Sequence, residues 1–136
     1  MLPLLVALLA GSSLAAAQYE KVITTPQRIF VEEYATLGSK ASAYFLTLDS
    51  APTSDVTVVP SAVPGDAIEL WQNATFNAMN YAIPQPIFVA STQLVPTDED
   101  SYHAGVVHDV LSDDAAFHGV TVRPVKCHIW RRPYQQ

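Results

Sequence analysis

The side chains in this sequence that could perform nucleophilic chemistry are one cysteine and four histidines. Cys127 directly precedes His128, and a thiol beside an imidazole is a common pairing of nucleophile and base. Adjacent residues of an extended strand point to opposite faces, so this pair cannot meet through its own side chains. The other histidines, His103, His108 and His118, are expected on separate strands or loops. We therefore predict no catalytic site, and we expect Cys127 to be a small buried hydrophobic residue, with an intermolecular disulfide as the alternative.

Sequence motifs of catalysis are also missing. The chain contains no glycine-rich phosphate loop, no His-Glu-x-x-His and no Gly-x-Ser-x-Gly, so we predict that it is not an enzyme. One modification motif is present, because Asn73-Ala74-Thr75 is an acceptor sequence for N-linked glycosylation. Asn73 is therefore a predicted glycosylation site if the chain is secreted from a eukaryotic cell.

Composition restricts the class of protein. The chain has 136 residues, of which 49% are hydrophobic and 15% charged, and its net charge is −6. This length fits one domain, and the composition is too apolar and too weakly charged for a disordered chain. The acidic balance argues against nucleic-acid binding. A single cysteine excludes an internal disulfide framework.

The N-terminus is typical of a secretory signal peptide. Residues 2–10 are apolar, and Ala15 and Ala17 form a small-x-small cleavage pattern. The apolar stretch is shorter than the roughly twenty residues that span a bilayer, so a signal peptide at residues 1–17 is preferred to a membrane anchor. We therefore expect a secreted protein, extracellular or at the cell surface.

The rest of the chain has the alternating pattern of half-buried strands, and no window has the period and caps of a helix. Eight runs carry the strand pattern: residues 22–25, 29–32, 43–48, 56–59, 67–70, 86–91, 105–111 and 120–130. Runs at this spacing predict an all-β fold, an antiparallel sandwich or barrel. One face of these runs supplies the predicted core: Tyr44, Leu46, Leu48, Val56, Val58, Ile87, Val89, Val107 and Val122.

Three segments of the chain, in order, resemble the Calx-β-like, immunoglobulin-like repeats of extracellular surface proteins. They are AYFLTLDSAPTSDVTV (43–58), ATFNAMNYAIPQ (74–85) and VHDVLSDDAAFHGVTV (107–122). The resemblance implies an immunoglobulin-like antiparallel β-sandwich of about seven strands over residues 29–130. An N-terminal extended segment at 18–28 would precede it, and a short basic tail at 131–136 would follow. The resemblance also implies adhesive, matrix or filament roles and no catalysis.

Calcium-binding members of that family use acidic residues at one end of the sandwich, and calcium requires several oxygen ligands. By this resemblance Glu32 and Glu33 match the early acids. The later acids, Asp98 and Asp100, stand several residues further along the chain than in the family pattern. Two interpretations stay open, namely solvated acidic loops or a calcium site at these four residues.

Charge is segregated along the chain. Residues 41–114 contain ten acids and no Lys or Arg, whereas residues 115–136 contain four bases and no acid. The four bases are Arg123, Lys126, Arg131 and Arg132. A basic C-terminal region and an acidic body could join copies of the chain head to tail. Such a contact repeats without closing and gives filaments, and the charges would set orientation more than affinity.

These observations predict a non-enzymatic extracellular structural or adhesive subunit whose partners are other copies of itself. The alternative is a monomeric module that binds calcium or carbohydrate, with aromatic residues such as Trp71, Tyr81 and Trp130 stacking on sugar rings. The run at 18–26 could pair with the edge of a neighbouring copy. It could also fold back as the first strand of its own domain, which is preferred for an isolated chain.

Overall fold

The computed structural model describes residues 20–33, 42–65, 67–91, 95 and 100–130, which form nine β-strands. The predicted signal peptide at 1–17 and the basic tail at 131–136 lie outside these ranges. Within the ranges, no helix has the length and apolarity needed to cross a membrane. The strands, in chain order, are β1 (Val22–Thr25), β2 (Arg28–Glu32), β3 (Ser42–Leu48), β4 (Val56–Val63), β5 (Glu69–Trp71), β6 (Ala74–Phe76), β7 (Gln85–Ala90), β8 (Ser101–Ser112) and β9 (Val125–Trp130).

The strands form two packed sheets, with the orders β1-β3-β7-β5 and β2-β9-β8-β4-β6. Neighbouring strands are antiparallel except β2 and β9, which are parallel. The all-β sandwich predicted from the alternation is confirmed. The alternation missed β6, because a strand of three residues is too short to show a period.

The first two strands lie in different sheets although only Pro26 and Gln27 separate them. β1 pairs with β3, so that Val22 lies opposite Leu48. Pro26 has no N–H to donate, which ends this pairing, and the chain passes to the other sheet. Residues 22–25 therefore fold back as the first strand of their own domain.

One hydrophobic core fills the space between the sheets. Eight of the nine residues predicted for it are buried: Tyr44, Leu46, Leu48, Val56, Val58, Ile87, Val89 and Val122. The prediction for Val107 is wrong, since its side chain is 44% exposed whereas Val106 is fully buried. Both faces of β8 carry apolar residues, so the alternation could not choose between them. The pairing register with β9 determines which face of β8 points to the core, because it places Val106 opposite the buried Val125.

The last predicted run is a strand over only part of its length. β9 begins at Val125, directly after Pro124, which cannot donate to a neighbouring strand. Residues 120–124 have no strand pairing, and residues 120–122 lie beside the second half of β8. The turn before them is fixed to β8 by the Gly119 N–H, which donates to the Val110 carbonyl over 2.9 Å. Gly119 has a φ of 71°, a conformation that favours glycine.

Candidate interaction surface

The outer face of β2 and β9 combines positive charge with exposed aromatic rings. The parallel register places Arg28 opposite Lys126 and Phe30 opposite His128. Trp130 is two residues further along β9 and therefore points to the same side. Phe30 is 59% exposed and Trp130 47% exposed. Glu32, which pairs with Trp130, lies on the same side and adds one negative charge. Arg28, Phe30, Lys126, His128 and Trp130 are called the β2–β9 face below.

Apolar exposure continues across the same sheet. Among the described residues, eight large hydrophobic side chains are exposed. Five of them lie on the outer face of the five-stranded sheet: Phe30, Val63, Val107, Leu111 and Trp130. Clustered apolar exposure marks contact sites more often than scattered single residues do. The outer face of this sheet is therefore the candidate interaction surface.

A cleft of about 530 Å³ opens beside the β2–β9 face. Three cationic residues, Arg28, Arg123 and Lys126, line it. The Arg123 Nε atom lies 2.6 Å from the Glu20 Oε1 atom, and both side chains are exposed. Water screens an exposed ion pair, so this contact holds Arg123 only weakly.

The structure brings together two of the four residues predicted for assembly. Arg123 and Lys126 line the cleft, while Arg131 and Arg132 lie outside the described residues. Arg28 joins the first two, and sequence reasoning missed it. Arg28 stands far from the basic C-terminal region in sequence, and only the parallel pairing of β2 with β9 brings it there.

Acidic residues cluster at the end of the sandwich where the β3–β4 and β8–β9 loops meet. Asp114 joins the two loops, because its carboxylate accepts the Thr53 and Ala116 N–H groups over 2.9 Å each. These backbone hydrogen bonds, with a smaller contribution from nearby Lys21, hold the pKa of Asp114 below its ordinary value. The acids of these loops are called the acidic pole below: Asp49, Asp55, Asp113 and Asp114.

Two histidines are in direct contact on the outer face of the five-stranded sheet. His103 of β8 lies opposite His128 of β9, and the Nε2 atom of His103 is 3.0 Å from the Nδ1 atom of His128. The two rings are perpendicular, with centroids 4.6 Å apart. Phe30 also packs against His128, at 5.5 Å between ring centroids. His103 and His128 lie on separate strands, as predicted, and antiparallel pairing places them directly opposite each other. The prediction of separate strands or loops is wrong for His103 and His108, which both lie on β8.

Three titratable side chains, Tyr44, His108 and Cys127, lie largely inside the sandwich. The Tyr44 hydroxyl oxygen, from one sheet, lies 2.7 Å from the His108 Nε2 atom, from the other. Burial lowers the pKa of His108 to about 4 and raises the pKa of Cys127 to about 12. A thiol that stays protonated is a poor nucleophile. Cys127 is thus the buried small residue that the sequence predicted, and this cluster packs and bonds the two sheets together.

The residues predicted to bind calcium are only partly described. Glu33 is buried, and its carboxylate accepts the Val95 N–H over 2.7 Å. Glu32 ends β2, Asp100 is exposed, and Asp98 lies outside the described residues. The described part of the chain contains no group of three or more His, Cys, Asp or Glu side chains placed to hold a metal. The calcium site stays a prediction.

The other predicted surface residues differ in exposure. Asn73 is exposed between β5 and β6, where an N-linked glycan could be attached, and its glycosylation stays a prediction. Of the aromatic residues considered for sugar stacking, Trp71 and Tyr81 are partly buried and pack against the core. Trp130 is the exposed one of the three.

Solved structures with the same fold come from several kinds of protein. A PapD-like domain of human CEP192 has a TM-score of 0.56 and 13% identity, over 85% of this chain and 87% of that one. The fold of the present chain is an immunoglobulin-like β-sandwich. The periplasmic chaperone SfaE has a TM-score of 0.55 and 9% identity, over 84% of this chain and 57% of that one. A C. elegans MSP family member, WR4, has a TM-score of 0.50 and 11% identity, over 82% of this chain and 98% of that one.

At these identities the likeness establishes the fold of this chain and nothing about its activity. No family model matches the chain, and no curated protein matches its sequence. The chain spans 57% of the SfaE chain, little more than half of that chaperone. The immunoglobulin-like part of the predicted resemblance is confirmed, and the finer assignment to Calx-β-like repeats stays a prediction.

Proposed function

We propose that this chain is a non-enzymatic extracellular subunit that self-associates head to tail, with the β2–β9 face of one copy against the acidic pole of the next. The observation that carries the proposal is the β2–β9 face itself. On it, the cations Arg28 and Lys126 are paired with each other, and the exposed Phe30 and Trp130 lie further along the same side of the two strands. Aromatic residues and arginine are the types most enriched at protein contacts, and such residues supply most of the binding energy there.

The two proposed surfaces differ in both position and charge. The β2–β9 face covers the outer side of one edge of the five-stranded sheet, whereas the acidic pole consists of loops at one end of the sandwich. A contact between unlike surfaces leaves one surface of each kind unused in every pair, so addition of copies can continue. Opposite charge would fix the orientation of the contact, and the aromatic rings would bury apolar area.

The extracellular location rests on the predicted signal peptide and on the resemblance to Calx-β-like repeats. A role in adhesion or assembly is compatible with the fold. The solved complex of the chaperone CsuC with the tip adhesion subunit CsuE contains a sandwich of the same kind, with a TM-score of 0.54 and 13% identity over 82% of this chain and 52% of that one.

The first experiment removes the two cations of the β2–β9 face. We expect the wild type to form oligomers at high micromolar concentration and to dissociate as salt is raised to about 1 M, where the Debye length falls to about 3 Å. Arg28→Gln/Lys126→Gln should remain monomeric under conditions in which the wild type assembles. Sedimentation velocity at several salt concentrations measures both effects.

A matched control separates the position of the cations from the net charge. Met79→Glu/Ile83→Glu changes the net charge by the same amount, at two exposed residues between β6 and β7. The loop that carries them lies at the same end of the sandwich as the acidic pole, because Phe76 pairs with Val56 and the Leu48 N–H donates to the Tyr81 carbonyl. Added negative charge there would face the same cations, so this variant should assemble at least as well as the wild type. If the wild type stays monomeric at every salt concentration, self-association is wrong and the monomeric calcium- or carbohydrate-binding module replaces it.

A further inference from the structure

The geometry of the contact between His103 and His128 allows two kinds of interaction, a hydrogen bond between the rings and the binding of one ion by both. Two neutral imidazoles at 3.0 Å can share one hydrogen between their facing nitrogens. The same two nitrogens, after a small rotation of each ring, can both direct their lone pairs to one ion. His103 is exposed and His128 is partly exposed, so the surrounding structure leaves room for such rotations.

We propose that His103 and His128 form a site for a divalent transition-metal ion of the Cu²⁺, Ni²⁺ and Zn²⁺ class, with water completing the coordination. Imidazole is a preferred ligand of all three ions. Two nitrogens at about 2.0 Å from a square-planar Cu²⁺ or Ni²⁺ lie about 2.8 Å apart when they are cis. Two nitrogens on a tetrahedral Zn²⁺ lie about 3.3 Å apart. The observed 3.0 Å separation falls between these two values.

The surrounding residues hold the pair in place. β8 and β9 are paired on both sides of the two histidines, from Ser101–Trp130 to Val106–Val125, so the Cα positions are fixed by the sheet. Phe30 also packs against His128. Neighbouring positions on the same face bring charges of both signs, with Arg28 and Lys126 on one side of the pair and Glu32 on the other.

The site has two protein ligands rather than a closed cage. No set of three or more His, Cys, Asp or Glu side chains that could hold a metal occurs in the part of the chain that the structure describes. In the proposed site, water fills the remaining coordination positions and can exchange. Such a site binds a metal reversibly and clamps β8 to β9 while the ion is present.

The test is a titration of dilute, monomeric protein with CuCl₂, NiCl₂ and ZnCl₂, at about pH 7.5 because protons compete for the imidazole nitrogens. We expect one ion per chain by calorimetry, a Cu²⁺ electron-paramagnetic-resonance spectrum with two nitrogen ligands, and a higher Tm with bound metal. His103→Gln and His128→Gln should each weaken binding about tenfold or more, because the second imidazole binds intramolecularly.

His118→Asn is the matched control, because His118 is an exposed histidine outside the pair. It should keep the wild-type affinity and the two-nitrogen spectrum. The proposal is overturned if either single variant of the pair retains wild-type affinity, or if the wild type binds no more tightly than the His103→Gln/His128→Gln double variant. A stoichiometry of one ion per two chains would also overturn it, since the ion would then bridge copies.

Discussion

His108 differs from the other three histidines in that its ring reaches the Tyr44 hydroxyl of the opposite sheet. Among the described residues, its Nδ1 atom is buried without a hydrogen-bond partner. Protonation would place a charge in this largely apolar space, and burial alone accounts for the low pKa of about 4. The residue thus acts as a neutral link between the sheets.

This link predicts a loss of stability in mild acid. The ordinary pKa of histidine is about 6.5, so between that value and about 4 the unfolded chain binds a proton that the folded chain does not. Stability is therefore fully present above about pH 6.5 and decreases as the pH falls. From pH 7.5 to 5, the free energy of unfolding should fall by about 2 kcal/mol through this residue.

Urea unfolding of wild type and His108→Gln at several pH values measures the effect. Glutamine can still bond to Tyr44 but does not titrate, so the variant should lack this part of the pH dependence even if it is less stable at pH 7.5. If the free energy of unfolding changes equally with pH in both proteins, His108 is not the group responsible for the change.

For individual residues, the sequence was a good guide to burial and a poor guide to contacts. Cys127 was expected to be buried from its residue type and its place in an apolar run, and it is. The Tyr44–His108 and His103–His128 contacts join residues of different strands. Such contacts depend on which strands are neighbours, and no property of either residue alone contains that information.

At the scale of the element, β8 shows how alternation locates a strand without always choosing its inner face. Val106 and Val107 are neighbours of the same type, yet one is fully buried and the other 44% exposed. Pairing with β9 places Val106 opposite the buried Val125 and so determines the face. In β3 one phase carries Tyr44, Leu46 and Leu48, and there the predicted core residues were correct.

The two valines provide a matched pair of substitutions. Val106→Ala should lower the free energy of unfolding by about 2 kcal/mol, because two buried methyl groups are lost and a cavity remains. Val107→Ala should change it by less than about 0.5 kcal/mol. Denaturant unfolding of both variants measures the difference. If Val107→Ala lowers the free energy of unfolding more than Val106→Ala does, the assignment of the inner and outer faces of β8 is wrong.

At the scale of the whole molecule, part of the charge that is segregated along the chain gathers at two places on the surface, while Glu69 and Asp109 lie elsewhere, on β5 and β8. The bases Arg28, Arg123 and Lys126 collect around one cleft, while the acidic pole occupies the loops at one end of the sandwich. The sequence showed that acidic and basic residues are segregated along the chain, but it did not show where they lie on the surface. The cleft depends on the parallel pairing of β2 with β9, and that pairing joins segments from opposite ends of the domain.

The basic tail can be tested without disturbing the strands. Trp130 belongs to β9, and its carbonyl accepts the Glu33 N–H over 3.0 Å, so a truncation after Ile129 would remove a paired residue. A truncation after Trp130 removes Arg131 and Arg132 and keeps this contact. We expect it to weaken assembly and reduce its salt dependence, because fewer cations face the acidic pole.

Light scattering and thermal melting of this truncation distinguish two effects. Weaker assembly with an unchanged Tm supports a role of the tail in contact between copies. A lower Tm would show that residues 131–136 stabilise the fold itself, and unchanged assembly would remove Arg131 and Arg132 from the proposed contact.

The parallel pairing of β2 with β9 also determines how the domain would respond to mechanical force. Tension applied before β2 and after β9 pulls two parallel strands in opposite directions along their length. The paired positions from Arg28–Lys126 to Glu32–Trp130 would then bear the load together, in shear, instead of opening one after another. Resistance to pulling is set by the rate of unfolding and not by equilibrium stability. Tension carried between the chain before β2 and the chain after β9 would therefore be resisted where these two strands meet.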